Sequence, residues 1–175
     1  MADKWFVSDT HLFHENILTF KDKDGKLIRP FSSVEEMNET IAQNWNRLIK
    51  PQDKVYHLGD VTFGLHKYRR EFNSMMHMLN GHKRLTPGNH DKYKDPDLFT
   101  HFEKVEYWAG FKELNFTATH FPLRLDSLRD GKFCVHGHTH QNCLDDKHYI
   151  NVCLEVRNFT PVHVDTILEE IKKAS

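Results

Sequence analysis

The sequence predicts an α/β fold in which two β-sheets pack face to face with helices outside them. Three observations carry this expectation. Strand-like and helix-like apolar segments alternate through the first part of the chain, and short aromatic and β-branched segments joined by turns dominate the second. Five short motifs containing Asp, Asn or His each close a strand-like segment. The length, 175 residues, suits one domain with its own core, expected to span 1–175.

The elements follow in order. Lys4–Ser8 reads as a buried strand ending at Asp9, and 21–26 as a polar loop turning at Asp24-Gly25. The Asp-x-Asp-Gly fragment there lacks the remaining ligand positions and closing Glu of a calcium loop. Ser33 and Glu36 form a capping-box pair before a helix carrying Val34, Met37, Ile41, Trp45 and Leu48, which Pro51 stops. Val55–Leu58 is a second strand. A second helix with Tyr68, Phe72, Met75 and Leu79 inward closes at Asn80-Gly81, and Lys83–Thr86 is a third strand. Val105–Phe111, Leu114–Thr119, Phe133–His136 and Tyr149–Cys153 read as further strands. Asp165 is expected to cap a last helix with Ile167, Leu168 and Ile171 inward and Lys172-Lys173 near its C-terminal end.

Composition narrows the function classes. Lys and Arg number 24 against 25 Asp and Glu, so the net charge of -1 gives no general pull toward nucleic acid or an anionic membrane. Cys134, Cys143 and Cys153 have no CxxC spacing and are no disulfide framework. No apolar run approaches a membrane span, and the opening Met1-Ala2-Asp3-Lys4 enters a strand at once, so a leader is not expected and a reducing cytoplasm is. The unusual number is 14 histidines, scattered rather than clustered in a tag.

Several of them sit in the five motifs: Asp9-Thr10-His11, Gly59-Asp60, Gly88-Asn89-His90-Asp91, Thr119-His120 and Gly137-His138-Thr139-His140. Strand ends on one rim are where open α/β sheets build sites. Asp9 and His11, like His138 and His140, are two apart, a spacing that in extended chain points both side chains to one side. The neighbouring glycines allow close approach of backbone and metal. One such motif alone means little, since a buried His is more often a hydrogen-bonded core residue. Five in succession, each at a strand end, point to a metal site.

This order of motifs resembles the fingerprint of the calcineurin-like metallophosphoesterases, running from Asp9 to His140 with none missing. Stretches around Asp9–Asn16, Arg29-Pro30-Phe31 and Asn151-Val152 are similar to compact bacterial and phage members. The resemblance implies a four-layer α-β-β-α sandwich and two divalent transition-metal ions. Asp9, His11 and His140 would bind the first ion, Asn89, His120 and His138 the second, and Asp60 would bridge them. His90 would sit over the substrate phosphate as the catalytic histidine, with Asp91 a structural partner beside it. Two divalent ions less two carboxylates and a bridging hydroxide leave about one net positive charge, which suits a phosphate and its transition state. The mixed N/O ligands favour manganese first, with iron, zinc or nickel as alternatives. The implied reaction is in-line attack of the bridging hydroxide on phosphorus.

Other residues are candidates on weaker grounds. His14 and Asn16 lie close enough after the first motif to reach a substrate. Arg29, Arg124 and Arg157 could fork a second phosphate or a distal group, against an ordinary surface placement. His57 and His136 read as core residues supporting the ligands. Three functions stay open: a phosphodiesterase or phosphomonoesterase on a small or nucleotide-like substrate, a nuclease on DNA or RNA, and a non-catalytic binding module on the same fold. The chain has little room for extra capping regions and no Lys/Arg cluster with interleaved aromatics, which disfavours nucleic acid. The presence of His90 with all seven implied ligands disfavours the non-catalytic module. Oligomeric state is not readable.

Overall fold

In the computed structural model, which describes residues 2–92 and 95–175, β1 (Lys4–Val7) is an interior strand of a five-stranded sheet. It pairs in parallel with β2 (Lys54–His57), β2 with β3 (His82–Leu85), and β3 with the short β4 (Lys104–Val105). The opposite edge is β9 (Val162–His163), antiparallel to β1. The second sheet runs β5 (Ala109–Phe111), β6 (Phe116–Thr119), β7 (Phe133–His136), β8 (Tyr149–Asn151), parallel except for the β5–β6 pair. Parallel neighbours need crossovers, and α1 (Val34–Leu48) and α2 (Leu65–Met78) supply those from β1 to β2 and from β2 to β3. The two sheets flanked by helices are the α/β architecture expected from the sequence. Met1, the first residue of the opening segment, falls outside the described residues.

Both faces of β1 are buried, which explains its unbroken apolar run. Val7 faces the helix side with Met37, Ile41, Trp45 and Phe72. Phe6 faces the other sheet, stacking on Tyr56 at 5.1 Å and meeting Phe111 and Phe116 edge-on at 5.3 and 5.6 Å. α4 (Val164–Ala174) sends Ile167 and Ile171 into this same inter-sheet core.

Several local expectations shift. Val105–Phe111 is not one strand: β4 and β5 belong to different sheets, and 106–108 carry the chain between them, with Tyr107 and Trp108 exposed. Aromatic and β-branched content favours strand in either sheet, so the division depends on partners distant in sequence. Leu114 ends a 3₁₀ turn, and the strand begins only after Asn115 takes a φ of 64°. The last helix is capped by His163, whose Nδ1 accepts from the Asp165 amide at 3.2 Å; Asp165 lies one step inside. The capping box of α1 is half reciprocal. Ser33 accepts from the Glu36 amide at 3.1 Å, but the Glu36 carboxylate turns to the Ser32 amide at 2.7 Å. The short α3 (Pro96–Thr100) and β9 carried no periodic signal and were not expected. The 21–26 turn is as expected, with Asp22 Oδ1 accepting from the Asp24 and Lys26 amides. Cys134 and Cys153 are buried and free, and Cys143 is exposed. Among the described residues no helix is long and apolar enough to cross a membrane.

Phe6 is fully buried between the sheets on the strand that leads to Asp9. Phe6→Ala should lower the unfolding free energy by about 3–5 kcal/mol, the usual cost of emptying a packed aromatic site. Urea denaturation checks this, and a loss under about 1 kcal/mol would mean that the inter-sheet core is not organised around Phe6.

Candidate metal centre

The five motifs converge at the carboxyl ends of β1, β2, β3, β6 and β7. Asp9, His11 and His140 offer ligand atoms within 4.8 Å of one another, and so do Asp60, His120 and His138. Asp60 links the two groups: its Oδ2 lies 3.7 Å from His11 Nε2 and 3.6 Å from His120 Nε2. Asn89 joins the second group, its Oδ1 3.0 Å from His120 Nε2.

Each carboxylate divides its work between its two oxygens. Asp60 Oδ1 accepts from the His90 amide at 2.8 Å, leaving Oδ2 facing the imidazoles. Asp9 Oδ2 accepts from the His138 amide at 2.8 Å and Cys153 Sγ at 3.2 Å. Asp9 Oδ1 is buried without a hydrogen-bond partner, 3.7 Å from both His11 Nε2 and His140 Nε2.

The imidazole tautomers follow from their outer partners. His120 Nδ1 must donate to the Leu58 carbonyl at 2.7 Å, because a carbonyl only accepts, so the neutral ring turns its Nε2 lone pair toward Asn89 and Asp60. His140 Nδ1 likewise donates to Glu155 Oε1 at 2.8 Å and turns Nε2 toward Asp9. The inner lining is therefore lone pairs facing lone pairs, and both ring nitrogens of His11 are buried with no partner. Such unpartnered buried acceptors are costly unless a cation lies among them. The residues fit a pair of divalent ions bound through N and O atoms.

Burial pushes the His11 and His138 imidazoles down, which keeps them neutral and able to ligate. Burial also opposes protonation of His140, but the Glu155 carboxylate outweighs it and the net direction is up. For Asp9, burial favours the neutral acid, yet the adjacent His11 imidazole and the surrounding histidines hold it well below the carboxylate range.

The route to this geometry corrects one expectation. Asp9, His11, Asp60, His138 and His140 all have positive φ, between 46° and 68°, so no extended i, i+2 spacing aligns them. β1, β2 and β7 end in left-handed turns that fold these candidate ligands back over the rim. Non-glycine residues pay about 1–2 kcal/mol for this conformation, which persists only where neighbours dictate it. Asp91 is one such neighbour. Its carboxylate accepts from the amides of Asp60, Val61 and Gly88 at 2.8–2.9 Å, the structural role expected of it. Gly137 is another: a Cβ there would overlap Ser8 Oγ and crowd Asp9 Oδ2.

Arg29 is neither a surface residue nor free for a phosphate. It is wholly buried, donating to the carbonyls of Asp9 and Thr10 and through Nε and Nη2 to Glu155 Oε1 at 2.9 and 2.6 Å. Glu155, absent from the sequence reading, thus couples this guanidinium to His140. Arg124 pairs with Asp126 on an exposed turn, and Arg157 with Glu170. His14 does reach the cleft: its ring lies 5.6 Å from that of His11 and stacks on Phe63 at 4.2 Å. Burial beside His11 and His90 pushes it down to about 4. Asn16 is exposed along a shallow groove with His14 and Phe63. His90 stands exposed at the mouth, its ring 5.6 Å from that of His11 and 5.3 Å from Phe63.

Two packed sheets with two carboxylate–imidazole groups joined through one aspartate are the fold and site of a metallophosphoesterase. The comparisons agree with that class, and the chain belongs to the calcineurin-like phosphoesterase family, whose model matches residues 4–174. It is 36% identical over 180 residues to the uncharacterized protein MJ1445 of Methanocaldococcus jannaschii, covering 99% of this chain and 93% of that protein. It is 27% identical to the gene 66 protein of Mycobacterium phage L5, covering 85% and 82% of the two chains. The crystal structure of the protein of unknown function AQ665 from Aquifex aeolicus superposes with a TM-score of 0.76 at 26% identity, over 95% of this chain and 98% of that one.

His57 supports the site from beneath and is expected to give stability a pH dependence. Its Nε2 lies 2.9 Å from Thr10 Oγ1, whose hydroxyl donates to the Val61 carbonyl, and its Nδ1 accepts from the Gly59 amide. Both nitrogens are thus committed in the neutral form, and burial pushes the folded group down from 6.5 to about 3. Its contribution to stability is complete above pH 6.5 and drains away as pH falls from 6.5 toward 3, because the unfolded chain takes up the proton first. Urea unfolding of chelator-treated protein should show this acid loss, and His57→Gln should flatten it. Parallel pH profiles for the two proteins would contradict the assignment.

Proposed function

We propose that the protein hydrolyses phosphate esters at a centre of two divalent metal ions. Asp9, His11 and His140 hold one ion, Asn89, His120 and His138 the other, and Asp60 is shared. The observation that supports this reading best is the free Oδ2 of Asp60, set almost equally far from an imidazole of each group. The ions, when bound, supply an activated water and neutralise phosphate oxygens. Manganese is the first choice, with iron, zinc or nickel as alternatives.

The chain's own residues do the rest. Asp9 and Asp60 bring two negative charges while the imidazoles and the Asn89 amide bring none, so the centre keeps a positive field for phosphate. The left-handed turns hold the ligands before substrate arrives, so little reorganisation is left for the reaction. His90 has its amide anchored on Asp60 Oδ1 and its ring at the mouth against Phe63, placed to stabilise charge on phosphorus or to give a proton to the departing oxygen. His14 and Asn16 line the approach to substrate. The substrate is a small or nucleotide-like phosphodiester or phosphomonoester, and the compartment is the cytoplasm.

His90→Asn should leave metal content unchanged and lower turnover about 10²–10⁴-fold, the scale of a lost acid–base group. Esters with poor leaving groups should suffer most and activated aryl esters least, since an aryl oxide departs without a proton. Metal analysis with turnover on both ester types checks this. Lost metal would make His90 a ligand, and an equal loss on all esters would make it a charge stabiliser.

A further inference from the structure

Beside His138 and His140 the rim opens into a cavity of about 410 Å³, within the roughly 300–1,000 Å³ span of small-molecule sites. Its wall is apolar: Ile17, Phe20 and Ile28, the last two set side by side by the Ile28 amide donating to the Phe20 carbonyl at 3.0 Å. Phe20 is 47% exposed, so part of its ring is open to a ligand. The lining also includes Gln141 and Asn142, amides able both to donate and to accept. Among the described residues no Lys, Arg, Asp or Glu lines the cavity, although Lys21, Lys23 and Lys26 lie on the same 20–28 hairpin as Phe20 and Ile28.

We propose that this cavity seats the nucleobase of a nucleoside phosphate ester bound at the metal centre, with Phe20 as its stacking surface. The proposal rests on the phosphoesterase reading above and names the part of the substrate beyond the phosphorus. A second phosphate would find no Lys or Arg there among the described residues, and a bare sugar would leave the apolar wall unfilled. A heterocycle offers a flat face to Phe20 and hydrogen-bonding edges to Gln141 and Asn142. A free nucleotide suits the cavity better than a long strand, because among the described residues no Lys or Arg lines it to follow a phosphate backbone.

The test compares AMP with ribose 5-phosphate, which shares the sugar and phosphate but lacks the base. Each competes against hydrolysis of p-nitrophenyl ethyl phosphate by the manganese-loaded protein. AMP should inhibit about tenfold more strongly or better, and Phe20→Ala should bring the ratio toward one while Phe20→Trp preserves it. In the metal-free protein, adenosine should shift the backbone amide NMR signals of Phe20 and Gln141, a readout independent of turnover. A ratio near one in the unaltered protein, with the ethyl ester still hydrolysed, would overturn the base site alone. So would a ratio unchanged in Phe20→Ala. A short oligonucleotide that inhibits more strongly than AMP, with a steep salt dependence, would overturn the free-nucleotide assignment. A loaded protein that hydrolyses no ester would overturn the phosphoesterase reading, and this proposal with it.

Discussion

The buried Arg29 guanidinium is the contact on which the rest of the site depends. It grips the carbonyls of Asp9 and Thr10, the left-handed turn that ends β1, and is neutralised by Glu155. Glu155 in turn holds His140, a residue of the second sheet's rim. One ion pair therefore fixes ligands contributed by both sheets. Burying two charges is tolerable only because their donors and acceptors are mutually matched, and removal of one partner would strand the other at a cost of about 3–5 kcal/mol. The same contacts hold the positive-φ backbone that a free chain would relax.

The sheets bring their edges together for the same reason. Phe6 and its aromatic neighbours lock the faces, and the Ser8 amide donates to the Val152 carbonyl at 3.2 Å where the two sheets meet. β1 thus serves as core on both faces and as the platform for Asp9 and His11. Stability and ligand placement are properties of one strand.

How much of this was legible in the sequence follows from range. The motif residues are local signals, and the structure gathers all seven expected ligands at one rim. The strands and the α1 cap were readable for the same reason, since periodicity and Ser33 act within a turn or two. Arg29 was not readable. Its partner Glu155 lies 126 residues away, and an isolated Arg beside Pro30 carries no mark of burial. The left-handed turns were missed because Asp and His at those positions have no local need for positive φ; contacts from Asp91, Arg29 and the other strands impose it. The break within 105–111 escaped likewise, since β-propensity says nothing about which sheet a strand joins. The apolar cavity joins Phe20 and Ile28 to Gln141, more than a hundred residues on, and no spacing rule connects them.

The central claim is that Asp60 is shared by two cations, and metal stoichiometry tests it most directly. Protein loaded with manganese and then dialysed should retain about two ions per chain by elemental analysis. Asp60→Asn removes the shared charge while keeping the side chain's shape, so both ions should weaken together, whereas His140→Asn should weaken mainly one. A folded Asp60→Asn protein that still holds two ions with unchanged affinity, or an unaltered protein that binds one ion or none, would contradict the account.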